Sequence, residues 1–251
     1  MFDLSGRVAV VTGGNGGIGL GMARGLATAG ADIAIWARNE QKNSNAKREL
    51  EALGSRVLAL RCDVSSESDI DAAMGETLEG LGRVDVCIAN AGYGAPGDPM
   101  KLSLERWREL MSVNLDGVFL TLREAARHMI ERGEGGKLIG ISSISEIFGA
   151  PSQAHYAASK GALEAFVRSM AVRLGRHDIC VNAIQPGWIV TDATAPAVEH
   201  KALNDTILHR TPIRRWGTTE DLAGIAVYLA SSASNFHTGD TIRIDGGYSV
   251  F

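Results

Sequence analysis

Val8-Ala9-Val10-Val11-Thr12-Gly13-Gly14-Asn15-Gly16-Gly17-Ile18-Gly19 is the stretch from which the fold is read. An apolar, β-branched run passes straight into a glycine-rich turn, and a helical pattern carrying Ile18, Met22 and Leu26 follows at once. Gly14, Gly16 and Gly19 satisfy the G-x-G-x-x-G spacing literally. A plain glycine turn would satisfy it too. What distinguishes this one is its place between a strand and a helix. There, small residues let the backbone approach a pyrophosphate, and the helix N-terminus presents N–H groups and the positive end of its dipole.

Outward from this turn the same alternation continues. Strand-like runs fall at Val8–Val11, Asp32–Trp36, Val57–Leu60, Val84–Ala89, Lys137–Ser142, Ile179–Ile184 and Thr241–Ile244. They are apolar without strict alternation, as strands covered on both faces are. Between them lie stretches with helical periodicity, such as Leu163, Phe166, Val167 and Met170. Strand, helix, strand in repetition predicts an α/β fold, a Rossmann-type doubly wound parallel sheet with helices on both faces. No linker, repeat or low-complexity tract interrupts it, so residues 1–251 are expected to form a single domain. One stretch departs. Between Gly187 and Thr219 there is no strand pattern, and Pro196 and Pro212 punctuate it, as expected of a lid or binding loop.

Bulk properties narrow the function. Hydrophobic residues make up 45% and charged residues 22% of the chain, which suits a packed core and argues against disorder. The net charge is −4, with no block of like charges, so a basic footprint for nucleic acid or an anionic membrane is absent. No apolar run is long enough to span a bilayer, and the start, Met-Phe-Asp-Leu-Ser-Gly-Arg, does not read as a secretory signal. Cys62, Cys87 and Cys180 suit neither a zinc site nor a disulfide framework and read as small buried hydrophobes. A cytoplasmic protein without a metal is the expectation.

The tip of the second strand bears on the cofactor. An acid there would hold the ribose 2′-hydroxyl of NAD, whereas an arginine suits the 2′-phosphate of NADP. The sequence reads Ile35-Trp36-Ala37-Arg38-Asn39, with Glu40 only beyond it. Arg38 therefore favours NADP(H) over NAD(H), although the glycine turn carries no second basic residue. Asp63, in Cys62-Asp63-Val64-Ser65, follows the third strand, where it can accept a hydrogen bond from adenine or serve the local turn before Ser66 and Asp69. Asn90 follows the fourth and is placed to fix backbone near the cofactor.

The sharpest chemical feature is Ser143 followed by Tyr156-Ala-Ala-Ser-Lys160. Residues four apart on a helix share a face. A free phenol has a pKa of about 10, and a neighbouring ammonium is expected to lower it toward the range where proton transfer is efficient. Ser143 ends the fifth strand, from which its hydroxyl can hold a substrate oxygen. Asn114 lies in an otherwise apolar helical stretch. A buried asparagine needs partners; it could hold a water that links Lys160 to solvent, or be satisfied structurally.

In order along the chain, Thr12-Gly-x-x-x-Gly17-x-Gly19, Asn90-Ala-Gly92, Asn114, Ser143, Tyr156-x-x-x-Lys160 and Pro186-Gly187 resemble the short-chain dehydrogenase/reductase family, in its single-domain branch. Ser143 and Tyr156 are 13 residues apart, as in that branch, and the resemblance runs to the ending Asp245-Gly-Gly247. It implies a catalytic tetrad of Asn114, Ser143, Tyr156 and Lys160. Tyr156 would be the acid in reduction and the base in oxidation, Lys160 would also bind the nicotinamide ribose, and Asn114 would hold a relay water. It implies that Gly13, Asn15, Gly17, Ile18, Gly19, Arg38, Asp63, Val64, Asn90, Pro186 and Gly187 line the cofactor. Ile189 and Thr191 would meet its carboxamide end, and Thr191 to about Arg215 would form a substrate lid. It further implies a homotetramer and a small-molecule carbonyl or alcohol substrate.

Two positions depart from the family pattern. Ala89 stands where a second asparagine is usual, and Glu146 stands where the loop after the serine often has glycine, near the substrate entrance, where it would contact a polar substrate. The commonest activity of such proteins, reduction of a 3-oxoacyl thioester, is the leading expectation, and Arg127, Arg132 and Arg168 are candidates for a carrier-protein docking patch. A sugar, polyol or cyclic-alcohol dehydrogenase is the alternative. A non-catalytic nucleotide sensor would have no need of Tyr156 and Lys160 together. A sugar-nucleotide epimerase fits poorly, because no additional substrate domain follows.

Overall fold

The computed structural model describes residues 1–251. Seven strands form one sheet: β1 (Val8–Thr12), β2 (Asp32–Trp36), β3 (Val57–Leu60), β4 (Val86–Ala89), β5 (Gly136–Ile141), β6 (Ile179–Pro186) and β7 (Thr241–Ile244). All neighbours are parallel, in the order β3-β2-β1-β4-β5-β6-β7. The order reverses between β1 and β4, which opens a crevice at their carboxyl ends.

The helices are α1 (Gly17–Thr28), α2 (Glu40–Glu51), α3 (Glu67–Leu81), α4 (Leu104–Met111), α5 (Gly117–Arg132), α6 (Ala154–Leu174), α7 (Ala195–Glu199), α8 (Lys201–Arg210) and α9 (Ala223–Ala230). One apolar layer joins the sheet to α3, α5 and α6 through Ile70, Leu122, Met129, Leu163 and Val167. The other joins it to α1, α2 and α9 through Met22, Leu26, Leu50, Ala226 and Leu229. The continuous apolar character of the strands follows from this double cover: β1, β4, β5 and β6 are buried at every position.

The structure moves the ends of four expected strands: β1 extends to Thr12, β5 lies one residue earlier than expected, at Gly136–Ile141, and β4 and β6 shift further. The fourth strand begins at Val86 rather than Val84, because Asp85 turns its carboxylate inward. That carboxylate is fully buried, accepts from the backbone N–H of Val8 at 2.9 Å and pairs with Arg83 and Arg132. The sixth strand runs on to Pro186, held by its register with β7. The strandless region between Gly187 and Thr219 contains α7 and α8, with an isolated bridge from Ile189 to Gly217 closing its base. All three cysteines are free and buried, and burial pushes the Cys62 and Cys87 thiols up to about 12. No helix is long and apolar enough to cross a membrane, and no cluster of potential metal ligands is present.

Candidate active site

The turn from β1 to α1 has a shape that larger residues would destroy. Gly13 and Gly17 have φ of 64° and 50°. A Cβ on Gly19 would lie 2.5 Å from both Asn90 Nδ2 and the Gly13 carbonyl oxygen. Gly16 faces open space. The first turn of α1 has neither a side-chain cap nor an acidic residue, so its N–H groups are left for an external anion. This fits a dinucleotide pyrophosphate. Asn15 donates to Asn43 Oδ1 at 2.7 Å, which ties the turn to α2, and Ile18 is half-buried on the first turn of α1. Asn90 donates to the Thr12 carbonyl at 2.9 Å, and the Thr12 hydroxyl accepts from the N–H groups of Asn90 and Ala91. The asparagine thus braces the ends of β1 and β4 against each other.

At the tip of β2, Arg38 Nη1 lies 3.6 Å from Asp63 Oδ2. Asp63 Oδ1 is already committed to the turn, accepting from the N–H and hydroxyl of Ser65. Partial burial acts to raise this carboxyl's pKa, but the Ser65 hydrogen bonds and Arg38 outweigh it and hold it below the usual value. Val64 beside it is buried, packed close to Gly117. Lys42, which sequence reasoning missed, stands four residues beyond Arg38, in the first turn of α2, and pairs with Asp192 at 3.0 Å. This supplies a second cation near the tip of β2, which the glycine turn lacks. The signal was the Asn39 cap: its side chain accepts from the Lys42 N–H at 2.9 Å and starts α2 there.

Tyr156 and Lys160 lie on the first two turns of α6, and Ser143 follows β5. Lys160 is 4% exposed, and its Nζ donates to the Ile141 carbonyl at 2.7 Å and lies 5.7 Å from the Tyr156 ring centre. Burial pushes its pKa down to about 8. Tyr156 does not show the lowered pKa expected from its lysine neighbour. Burial of the phenol pushes it up, with the Ser143 hydroxyl opposing that shift. The reason is desolvation, which disfavours the charged form of both groups. Ser143 Oγ accepts from the Ser145 N–H at 3.1 Å.

Asn114 is fully buried on a π-helical turn, Ser112–Asp116, between α4 and α5. Its Oδ1 accepts from the Tyr93 N–H at 3.0 Å, and its Nδ2 donates to the Tyr93 carbonyl at 2.9 Å and toward Ser159 Oγ at 3.4 Å. The side-chain amide is therefore spent on the loop after β4. A Cβ on Gly92 would lie 3.1 Å from Asn114 Oδ1 and 3.6 Å from Lys160 Nζ, so the two residues converge on that glycine.

Beyond β6, Pro186 closes the strand and Gly187 passes so near Asp245 that a Cβ would be 2.6 Å from its Cα. Ile189 is buried. The Thr191 methyl group would lie 3.4 Å from a Cβ on Gly17, so this segment closes directly over the glycine turn. Thr194 fixes it, accepting from the Thr191 N–H at 2.9 Å and donating to the Ile189 carbonyl at 2.7 Å.

Glu146 faces inward in part. Its Oε1 accepts from Gln185 Nε2 at 2.9 Å, and the same nitrogen donates to buried Glu164 at 2.8 Å. Ser142 also donates to Glu164, at 2.6 Å, and Arg243 donates to Gln185 Oε1 at 2.7 Å. That oxygen of Glu146 thus holds the loop down instead of meeting substrate. Of the three arginines considered for docking, Arg132 is committed to Asp85 and to the carbonyls of Val84 and Gly135, at the amino ends of β4 and β5, and Arg127 pairs with Glu124.

The family model described as Enoyl-(Acyl carrier protein) reductase matches residues 13–249. A gluconate 5-dehydrogenase of Gluconobacter oxydans (strain 621H) is 36% identical over 250 residues, covering 100% of this chain and 97% of that protein. A 3-oxoacyl-[acyl-carrier-protein] reductase of Chlamydia pneumoniae is 35% identical over 248 residues, covering 97% of each. Among solved structures, a gluconate 5-dehydrogenase from Burkholderia cenocepacia J2315, in complex with NADP and tartrate, superposes with a TM-score of 0.95 at 39% identity, covering 100% of this chain and 98% of that one.

Proposed function

The chain belongs to the short-chain dehydrogenase/reductase family and is an NAD(P)-dependent oxidoreductase acting on CH–OH groups, and from that premise we propose that it interconverts a secondary alcohol and a ketone on a sugar-derived, polyhydroxylated substrate, with NADP(H) preferred. The observation that carries the reading is the convergence of Tyr156, Lys160 and Ser143 at the carboxyl ends of the strands, beside the glycine turn.

In this reading Tyr156 takes the alcohol proton during oxidation and returns it during reduction. Ser143 holds the substrate oxygen. Lys160 stabilises the phenolate and binds the nicotinamide ribose. Asn114 fixes the Tyr93 backbone and supports a water beside Lys160. A bound nicotinamide supplies the hydride acceptor or donor. Gly13, Asn15, Gly17, Ile18, Gly19, Asp63, Val64 and Asn90 line one part of the cofactor crevice, and Pro186, Gly187, Ile189 and Thr191 the other. NADP(H) is favoured because Arg38, rather than an acid able to receive a 2′-hydroxyl, follows the end of β2, and Lys42 stands in the first turn of α2. NADP in the related structure supports this preference.

The sugar reading is better supported than the 3-oxoacyl thioester reading because gluconate-type proteins recur among both the relatives and the solved structures, and because Arg132 is not available for docking a carrier protein. We further propose that residues 1–251 act as one domain, that residues 191–215 close over substrate as a lid, and that the chain assembles as a homotetramer. The test is an assay of gluconate, neutral sugars, polyols and a 3-oxoacyl thioester with both cofactors. Turnover of the sugar-type compounds with a higher kcat/KM for NADP+ is expected. Activity confined to the thioester would overturn the substrate reading, and NADPH binding with no turnover of any compound would revive a sensor.

A further inference from the structure

Arg210 ends α8 and is half-buried. Its guanidinium lies 4.3 Å from the ring centre of Phe148 and 4.4 Å from that of Tyr248, and the two rings meet edge to face, 5.7 Å apart. A cation–π contact of this kind is made by the charge of the guanidinium with the ring and does not consume its N–H donors. Nearby arginines are spent differently: Arg214 donates to the carbonyls of Leu208 and His209, and Arg215 pairs with Asp221 at 2.6 Å. Arg210 makes no hydrogen bond or ion pair of its own, and none of its nitrogens is among the buried, unpartnered polar atoms, so its donors remain open to solvent. The cation is oriented and partly desolvated, yet unneutralised.

Its surroundings belong to the reacting end of the sheet. Phe148 lies on the loop between β5 and α6, two residues beyond Glu146, whose Cβ packs 4.0 Å from a Cβ position on Gly161, next to Lys160. Tyr248 follows β7 and meets Trp188 edge-on at 6.2 Å, and Trp188 follows Pro186-Gly187. The aromatic cluster therefore joins the carboxyl ends of β5, β6 and β7, the side of the sheet on which Ser143 and Tyr156 stand. The indole N–H of Trp188 is a buried donor with no partner in the same cluster.

We propose that Arg210 anchors a carboxylate at the end of the substrate remote from the reacting hydroxyl, so that this enzyme selects a polyhydroxy acid over the corresponding neutral polyol. A guanidinium held between two aromatic rings has lost much of its rotamer freedom before binding, which favours two parallel N–H···O bonds to a carboxylate. The inference rests on the sugar-type reading above and adds both the charged group and the residue that recognises it. Arg210 lies in the segment proposed as a lid, so engagement of the carboxylate would also draw α8 toward the crevice.

The test compares gluconate with glucitol, which carries CH2OH in place of the carboxylate, for the wild type and for Arg210→Met and Arg210→Lys. The wild type is expected to favour gluconate. Arg210→Met is expected to lower kcat/KM for gluconate roughly ten- to a hundred-fold, mainly through KM, while glucitol changes little. Arg210→Lys should keep part of the gluconate preference. An unchanged NADPH dissociation constant reports that each variant is folded. If Arg210→Met does not bind NADPH, Arg210→Lys alone decides: an unchanged gluconate-to-glucitol ratio overturns the proposal, and a reduced one supports it. Equal losses on both substrates would make the aromatic clamp structural and overturn the proposal. A wild type that prefers glucitol would overturn it while leaving the sugar reading intact, and oxidation of neither compound would overturn both.

Discussion

The ammonium of Lys160 donates to the main-chain carbonyl of Ile141 at 2.7 Å, tying the second turn of α6 to the end of β5, two residues before Ser143. One hydrogen bond thus registers the helix that carries Tyr156 against the strand that leads into the serine. It also leaves a cation in the interior with no carboxylate beside it, and burial drives its pKa from 10.5 to about 8.

This shift makes a stability prediction. The folded lysine releases its proton near pH 8, whereas the unfolded one keeps it to about 10.4. Between those values the unfolded chain binds more protons, so Lys160 makes stability rise with pH across that window. Below it the cost of the buried ammonium is fully present, on the order of 3 kcal/mol for a shift of this size. Denaturant unfolding of cofactor-free wild type and Lys160→Met should differ most near neutral pH and converge as pH rises through the window. Parallel pH curves would show that Lys160 is not the source.

Asn114 supports the loop after β4 through both functions of its amide. Asn114→Ala leaves the N–H and C=O of Tyr93 unpaired, at about 1–3 kcal/mol for each group. A lower thermal midpoint together with lower turnover is expected. Full stability in this variant would mean that water replaces the amide without loss.

Arg38 and Lys42 set the cofactor preference in this account. Arg38→Ala should lower kcat/KM for NADP+ roughly ten- to a hundred-fold, leaving NAD+ little affected. Lys42→Ala should act in the same direction but less, since its side chain is long, exposed and shared with Asp192. Equal losses with both cofactors would assign the two cations to folding or to the pyrophosphate.

What was legible in the sequence was local. The glycine turn, the strand runs and the Tyr156–Lys160 spacing are each contained in a dozen residues or fewer, and periodicity reports them directly. The elements they predict are the ones found, with shifts where Asp85 turns inward and where Pro186 stays in register. Contacts between distant segments were not legible. Gln185 reaches Glu146 and Glu164 across 39 and 21 residues, and Lys42 reaches Asp192 across 150. Arg210 joins Phe148 and Tyr248 only after the loops that follow β5 and β7 have packed against α8. The direction of the Tyr156 shift also depended on the fold, because spacing reveals a neighbouring charge but not the burial that outweighs it.

The central claim is that the Tyr156 hydroxyl moves the proton. It is tested most directly by comparing kcat for wild type and Tyr156→Phe with a compound the wild type turns over, alongside NADPH binding for both. The account predicts a loss of roughly 10²- to 10⁴-fold in kcat with the NADPH dissociation constant nearly unchanged. Near-normal turnover by Tyr156→Phe would contradict it.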